Sequence, residues 1–177
     1  MIVVNFFGGP GAGKSTTSAH LFSLLKMSEI NCELVTEFAK DLTWSESVKM
    51  LGFQPYVFGE QAWRIERLNG KVDVVITDSP LLLSSIYCQS NLPQCFHDYV
   101  LWSHNRYKTI NFYINRTKKY TMTGRNQTEA EALSIDKKVH EHLLKIGVKF
   151  DSVLNGDGTA SIKAYSEVIK HLSKING

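Results

Sequence analysis

Gly8-Gly9-Pro10-Gly11-Ala12-Gly13-Lys14-Ser15 is the stretch that decides the fold. It matches G-x-x-x-x-G-K-[ST], follows the apolar run Ile2–Phe7, and opens into a helical period carrying Leu21, Leu24 and Leu25. The motif requires this strand, turn and helix context. Its glycines let successive backbone N–H groups turn inward as an anion nest, and the helix N-terminus adds positive potential. In that frame Gly8, Gly9, Gly11, Ala12, Gly13, Lys14, Ser15 and Thr16 are the nucleotide-binding residues. Lys14 reaches the β and γ phosphates and the Ser15 hydroxyl joins a Mg²⁺ shell, so ATP and Mg²⁺ are the expected cofactors. A plain glycine turn would have no need of Lys-Ser at these positions.

Outward from the loop, short β-rich runs alternate with helical periods. Strands are expected at 2–7, 32–36, 72–77, 109–115 and 148–153, with near-continuous apolar stretches that suit parallel strands covered on both faces. A helix is expected at 129–146, with Ala132, Ile135, Val139, Leu143 and Ile146 in a stripe, a Thr128/Glu131 capping box and Gly147 at its end. In the last helix Ile162, Tyr165, Ile169 and Leu172 are expected on one face. This order predicts a three-layer α/β domain around a five-stranded parallel sheet, with ligands bound beyond the carboxyl ends of the strands. The whole chain, 1–177, reads as one domain.

The strand ends then name the chemistry. Strand two runs into Thr36-Glu37-Phe38-Ala39-Lys40-Asp41, which places Glu37 either to take a proton from an acceptor hydroxyl facing the γ phosphate or to cap the next helix or pair with Lys40. Asp41, one turn later, is either its helper or a solvated charge. Strand three ends in Thr77-Asp78-Ser79-Pro80, where Asp78 is expected to order Mg²⁺ together with Ser15. Pro80 should start a helix over 81–87. Strand four releases a basic segment with Arg116, Lys118, Lys119 and Arg125, expected to be a mobile lid over about 116–128. Arg116 and Arg125 are the catalytic candidates, since guanidinium forks match phosphate oxygens. After strand five, Asn155-Gly156-Asp157-Gly158-Thr159 reads either as a curl around adenine, with Asp157 touching the nucleotide, or as an ordinary turn.

Between strands two and three lie about thirty-five residues, more than a crossover requires. This segment, about 38–70, is aromatic-rich. Phe38, Asp41, Trp44, Phe58, Gln61 and Arg64 are its acceptor-binding candidates, because stacking plus a bidentate amide is how a flat heterocycle is recognised. The aromatics alone read more readily as core than as a cage. The six histidines lack metal-ligand spacing and read as surface or structural. The 92–102 stretch, with Tyr99, Leu101 and Trp102, is either core or a dimer face.

Composition excludes other classes. The 177 residues are 43% hydrophobic and 21% charged, which rules out a disordered chain. A net charge of +3 does not by itself declare a nucleic-acid binder. Three cysteines without a CxxC pair argue against a disulfide framework or a zinc site, and imply a reducing compartment. No apolar run approaches the ~18 residues of a membrane span, and the first residues lack the features of a signal peptide. The expected location is the cytoplasm, that of the host if a phage encodes the chain.

Residues 8–16, Thr36-Glu37-Phe38-Ala39-Lys40, Glu60-Gln61, Ile76-Thr77-Asp78-Ser79-Pro80 and Gly124-Arg125 together resemble a small P-loop kinase. The likeness is to the AAA-labelled group that includes the NadR-type ribosylnicotinamide kinase domain and many phage nucleotide kinases. It implies strand order 2-3-1-4-5 and ATP with Mg²⁺ as phosphate donor. Deoxynucleoside kinases are a more distant likeness, implying roles for Glu37, for Gln61 as base reader and for the lid arginines. Their acid-Arg-Ser sequence is here Asp78-Ser79-Pro80, without the arginine. The expected activity is transfer of the γ phosphate to a nucleoside or nucleotide-like acceptor. The alternatives are a kinase acting on hydroxymethylated bases in DNA, and a nucleotide switch or ATPase without a small-molecule acceptor.

Overall fold

A computed structural model describes residues 1–88, 92–117, 119–121, 123 and 127–176. Five strands, β1 (Ile2–Phe7), β2 (Cys32–Val35), β3 (Val74–Thr77), β4 (Lys108–Asn115) and β5 (Ser152–Asn155), form one sheet in the order β2-β3-β1-β4-β5. Every pairing is parallel, with Asn5 opposite Thr77 on one side and Asn111 on the other. The expected fold and strand order therefore hold. The register puts all five carboxyl ends on one edge, so the residues that follow Phe7, Val35, Thr77, Asn115 and Asn155 become neighbours.

The alternation of β1 sorts its side chains between two layers. Val4 and Phe6 face α1 (Lys14–Met27) and α8 (Ala160–Asn176), packing with Leu21, Leu25, Ile76, Phe112, Ala164 and Val168. Val3 and Phe7 face α4 (Gln54–Glu66), α5 (Leu83–Tyr87), α6 (Gln94–Asn105) and α7 (Glu129–Lys145), packing with Phe58, Ile65, Val100, Val139 and Leu143. A buried Phe, Leu or Ile contributes roughly 1.5–3 kcal/mol, against roughly 0–1 kcal/mol for an exposed ion pair such as Arg106–Glu66. The two apolar layers hold the sheet.

Three elements differ from the sequence expectation. β5 starts at Ser152, not at 148, because Gly147 ends α7 in the left-handed region (φ 77°) and Val148 and Phe150 then pack beneath the sheet. Their apolar character belongs to the core, not to the ladder. Pro80 does not begin a helix: it opens a turn, Leu83 N donating to Pro80 O, and α5 begins at Leu83. In α8, Ile162 is 55% exposed, and the inward face runs through Ser161, Ala164, Tyr165, Val168 and Leu172. The Thr128/Glu131 capping box of α7 forms as expected.

The segment between β2 and β3 folds as α2 (Phe38–Trp44), α3 (Val48–Gly52) and α4, around a small core of Phe38, Leu42 and Val57. On α6, Leu101 packs inward while Tyr99 and Trp102 stack on each other at the surface, 5.6 Å apart. Among the described residues no helix is long and apolar enough to cross a membrane.

His104, near the end of α6, is buried, which pushes its pKa from 6.5 down to about 4. Between those values the unfolded chain holds the extra proton, so this contribution is complete above about pH 6.5 and is lost as pH falls towards 4. Urea unfolding of wild type should lose stability with falling pH more steeply than His104→Gln, by at most ~1.4 kcal/mol per pH unit. Parallel pH profiles for the two proteins would show that His104 does not titrate in this window.

Candidate functional site

The phosphate loop occupies the middle of the carboxyl edge, between β1 and α1. Gly8, Gly11 and Gly13 all take positive φ, the last as N-cap of α1. Pro10 and Gly11, partly exposed, make the crest, and Ala12 behind them is fully buried. Ser15 and Thr16 stand exposed on the first turn of α1. The Lys14 ammonium folds back and donates to Gly8 O (2.9 Å) and Gly9 O (3.0 Å). Burial pushes its pKa down, against the pull of the Glu37, Asp78 and Asp136 carboxylates, and Arg116 adds to the lowering. Three acids and a guanidinium thus surround this amine electrostatically.

Each comes from a different strand end or helix. Glu37 follows β2 and holds the N-cap position of α2 without capping it through its side chain. Asp78 follows β3, is 4% exposed, and leaves Oδ1 buried with no hydrogen-bond partner among the described residues. Arg116 follows β4. Its Nε donates to Asp136 Oδ2 (2.9 Å), its Nη2 donates to Pro10 O (2.7 Å), and its plane lies 5.6 Å from the Tyr120 ring. At this residue, the first of the expected lid, the charge pair with Asp136 and the bond to the loop carbonyl hold Arg116 against the phosphate loop. Arg125, Lys118 and Gly124 lie outside the described residues.

A buried carboxylate oxygen without a hydrogen-bond partner among the described residues, on Asp78, and an exposed hydroxyl on the first turn of α1, on Ser15, are oxygen donors of the kind that suit Mg²⁺, which keeps most of its shell as water and phosphate. Asp78 and Ser15 fit that ion. Among the described residues no cluster of three His, Cys, Asp or Glu side chains forms a cation cage.

The acceptor candidates separate. Phe38, Asp41, Gln61 and Arg64 come together. Arg64 Nη2 donates to Asp41 Oδ2 (2.6 Å), and its guanidinium lies 4.9 Å over the Phe38 ring. The Gln61 amide, expected to face a heterocycle, is instead turned inward. Its Oε1 accepts from Phe38 N (2.9 Å), and its Nε2 donates to Thr36 O (3.3 Å) and Thr77 Oγ1 (3.5 Å). At 3% exposure it ties α4 to the ends of β2 and β3. Phe58 is core, edge-on to Phe96 and Tyr99, and Trp44 is 62% exposed at the end of α2. The aromatics do not form one cage: Phe38 and Tyr56 belong to the small core that α2 and α4 share, Phe58 to the core beneath the sheet, and Trp44 to the surface. Asp41 is a largely exposed charge, its side chain 54% exposed, and it is paired with Arg64.

Asp157 also has local work. Its Oδ1 accepts from Thr159 N (2.8 Å) and Oγ1 (2.7 Å), which caps the entry to α8. The preceding residue matters more: Gly156 N donates to Asn115 O, and a Cβ at Gly156 would fall 2.1 Å from Ala12 O. The β5–α8 turn therefore backs the phosphate loop directly.

Two residues of the site escape sequence reading. Asp136 accepts from Gly9 N with Oδ1 (2.7 Å) as well as from Arg116. Its signal was an acid at i+4 from Ala132 on a buried stripe, where an unpaired charge is rarely tolerated. Tyr87, at the end of α5, has its hydroxyl pKa pushed up by burial first and then by the carboxylates of Glu37 and Asp136, so it lies within electrostatic reach of both. No local pattern marks it. Two surface hollows, of about 530 and 430 Å³, lie elsewhere: one is lined by Met1, Asp73 and Lys108, the other by His104, Thr109 and Lys149, and neither borders the loop.

No curated protein matches the chain. A family model described as AAA domain matches residues 3–160, which takes in all five strands but for Ile2 and every site residue named above. With the phosphate loop at the carboxyl edge of a 2-3-1-4-5 parallel sheet, the chain belongs to the AAA-type P-loop NTPases.

Proposed function

We propose that this chain is an ATP- and Mg²⁺-dependent phosphotransferase that moves the γ phosphate to a nucleoside or nucleotide-like acceptor, as ribosylnicotinamide and phage nucleotide kinases do. The observation that carries this reading is the gathering of Glu37, Asp78, Asp136 and Arg116 within electrostatic reach of Lys14. Lys14 and the backbone N–H groups of 11–15 bind the phosphates. Arg116 faces the crest of the loop and meets charge that develops on the transferred group. Glu37 receives the proton of an acceptor hydroxyl, and Tyr87 borders the space in which that hydroxyl is held. Asp78 and Ser15 hold Mg²⁺, which when bound neutralises phosphate charge. The acceptor enters beside the Phe38–Arg64–Asp41 cluster.

A general base contributes typically 10²–10⁴-fold, and a glutamine of the same shape keeps the packing while losing the basicity. Incubation with γ-labelled ATP and Mg²⁺ should label one acceptor class from a panel. The panel contains nucleosides, deoxynucleoside monophosphates, nicotinamide riboside and mononucleotide, and duplex DNA with hydroxymethylated bases. Glu37→Gln should lower transfer by about 10²-fold and leave ATP affinity unchanged. Near wild-type transfer in that variant removes Glu37 as the base. Label released only as free phosphate turns the reading to an ATPase, and nucleotide binding with no release at all turns it to a switch. Label on the DNA arm with steep salt inhibition moves the acceptor to a nucleic acid.

A further inference from the structure

Asp136 is drawn into the site by geometry alone. One carboxylate oxygen accepts from Gly9 N at 2.7 Å and the other from Arg116 Nε at 2.9 Å, with the side chain 18% exposed. Its main-chain carbonyl accepts the Tyr113 hydroxyl, which seats this turn of α7 against β4. Arg116 closes the ring through Nη2 to Pro10 O at 2.7 Å. The guanidinium is thereby held along one edge and at one corner, and its side chain is 10% exposed. The remaining nitrogen, Nη1, is buried without a hydrogen-bond partner among the described residues, 3.1 Å from where a Gly11 Cβ would lie. A buried cationic N–H without an acceptor is costly to maintain, and it matches an anionic oxygen.

We propose that Asp136 is a positioning residue: it fixes Arg116 so that Nη1 is presented to the terminal phosphate of a bound nucleoside triphosphate. The loop therefore prefers triphosphate to diphosphate. This rests on the nucleotide-binding part of the function proposed above and not on phosphoryl transfer. Gly9 belongs to the same device. A Cβ there would fall 2.3 Å from Asp136 Oδ1 and 3.0 Å from Ala132 O, so the clasp closes only over a residue without a side chain.

The test is calorimetric binding, in Mg²⁺, of ADP and of the β,γ-imido analogue of ATP, so that no chemistry enters the readout. Wild type should prefer the triphosphate by about tenfold or more, the worth of one charge-assisted hydrogen bond. Asp136→Asn keeps the shape and an acceptor for Gly9 N but loses the charge that holds Arg116. It should bring the ratio to within about threefold of unity, the triphosphate losing more affinity than ADP. Gly9→Ala, which displaces Asp136 from the other side, should weaken both nucleotides through the loop itself but the triphosphate more, narrowing the ratio, and carries the test if Asp136→Asn does not fold. Equal weakening of both nucleotides would make Asp136 a loop-holding residue only and overturn the proposal. So would an unchanged ratio, or a wild type that does not distinguish the two. A wild type that binds neither nucleotide removes the nucleotide-binding reading, and this proposal with it. A wild type that discriminates but transfers phosphate to no acceptor leaves this proposal standing and removes the kinase.

Discussion

Lys14→Ala should abolish nucleotide turnover, lowering it by about 10³-fold, and weaken ATP binding by about 10²-fold, while leaving the protein folded. The first two effects follow from the charge balance of the site. The Lys14 ammonium is the central cation among Glu37, Asp78 and Asp136, and it shares the loop with the guanidinium of Arg116. Without it a triphosphate must approach three carboxylates with one fixed cation fewer, in a setting where burial strengthens each charge interaction. The third effect follows from the lowered pKa. Burial costs Lys14 more than the three acids return, so the charged group is less comfortable in the fold than in water. Its bonds to Gly8 O and Gly9 O partly satisfy it, but they are contacts that a phosphate would replace. The melting temperature of Lys14→Ala should stay within about 3 °C of wild type. ATP titrations of the two proteins that superimpose would remove Lys14 from the nucleotide site altogether. A variant that loses binding and also melts far below wild type would make Lys14 a structural residue first.

The parts of this molecule legible in the sequence are those in which one short stretch holds both the structural cause and the chemical group. The phosphate loop is one: its glycines, its lysine and the strand and helix around it occupy consecutive positions. The strand ends are another, because a parallel sheet brings Glu37, Asp78 and Arg116 to one edge whatever else the chain does. Residues whose role depends on a distant partner were not legible. Gln61 reads equally as a ligand-facing amide and as an internal tie, and only Phe38 N and Thr36 O decide for the tie. Arg116 reads from its own segment as part of a basic lid, and nothing in that segment announces its bond to Asp136, twenty residues on. Val148 and Phe150 have strand-like alternation, but Gly147 turns the chain so that they cover the core before the ladder begins. An acid on the inward face of α7 was the one long-range cue present in the pattern. It failed to register because a stripe is read by its apolar members.

The contact between Gly156 and Ala12 leads to the second large effect. Gly156→Ala should destabilise the fold by about 3 kcal/mol, lowering the melting temperature by roughly 10 °C. It should also weaken ATP binding by about 10²-fold. The Cβ would fall 2.1 Å from Ala12 O, 3.3 Å from Ala12 C and 3.1 Å from Asn115 O. All three are backbone atoms, so no rotamer change relieves the overlap, and β5 or the phosphate loop must move. Gly156 cannot retreat easily, since its N–H bonds Asn115 O at 2.8 Å. Ala12 is fully buried, and its carbonyl shares a peptide with Gly13, the N-cap of α1. A shift there therefore tilts the backbone N–H groups that face the phosphates, which is why affinity and stability should fall together. The neighbouring glycine separates this account from a general cost of losing turn glycines. A Cβ at Gly158 meets nothing within 4 Å, so Gly158→Ala should be neutral or slightly stabilising, by up to ~1 kcal/mol. Urea unfolding and ATP titration of the two variants side by side decide the matter. Equal, small effects from both would mean that the β5–α8 turn does not brace the loop. A wide gap would make this turn, expected from its sequence to cover a base or to do nothing, the rear support of the phosphate site.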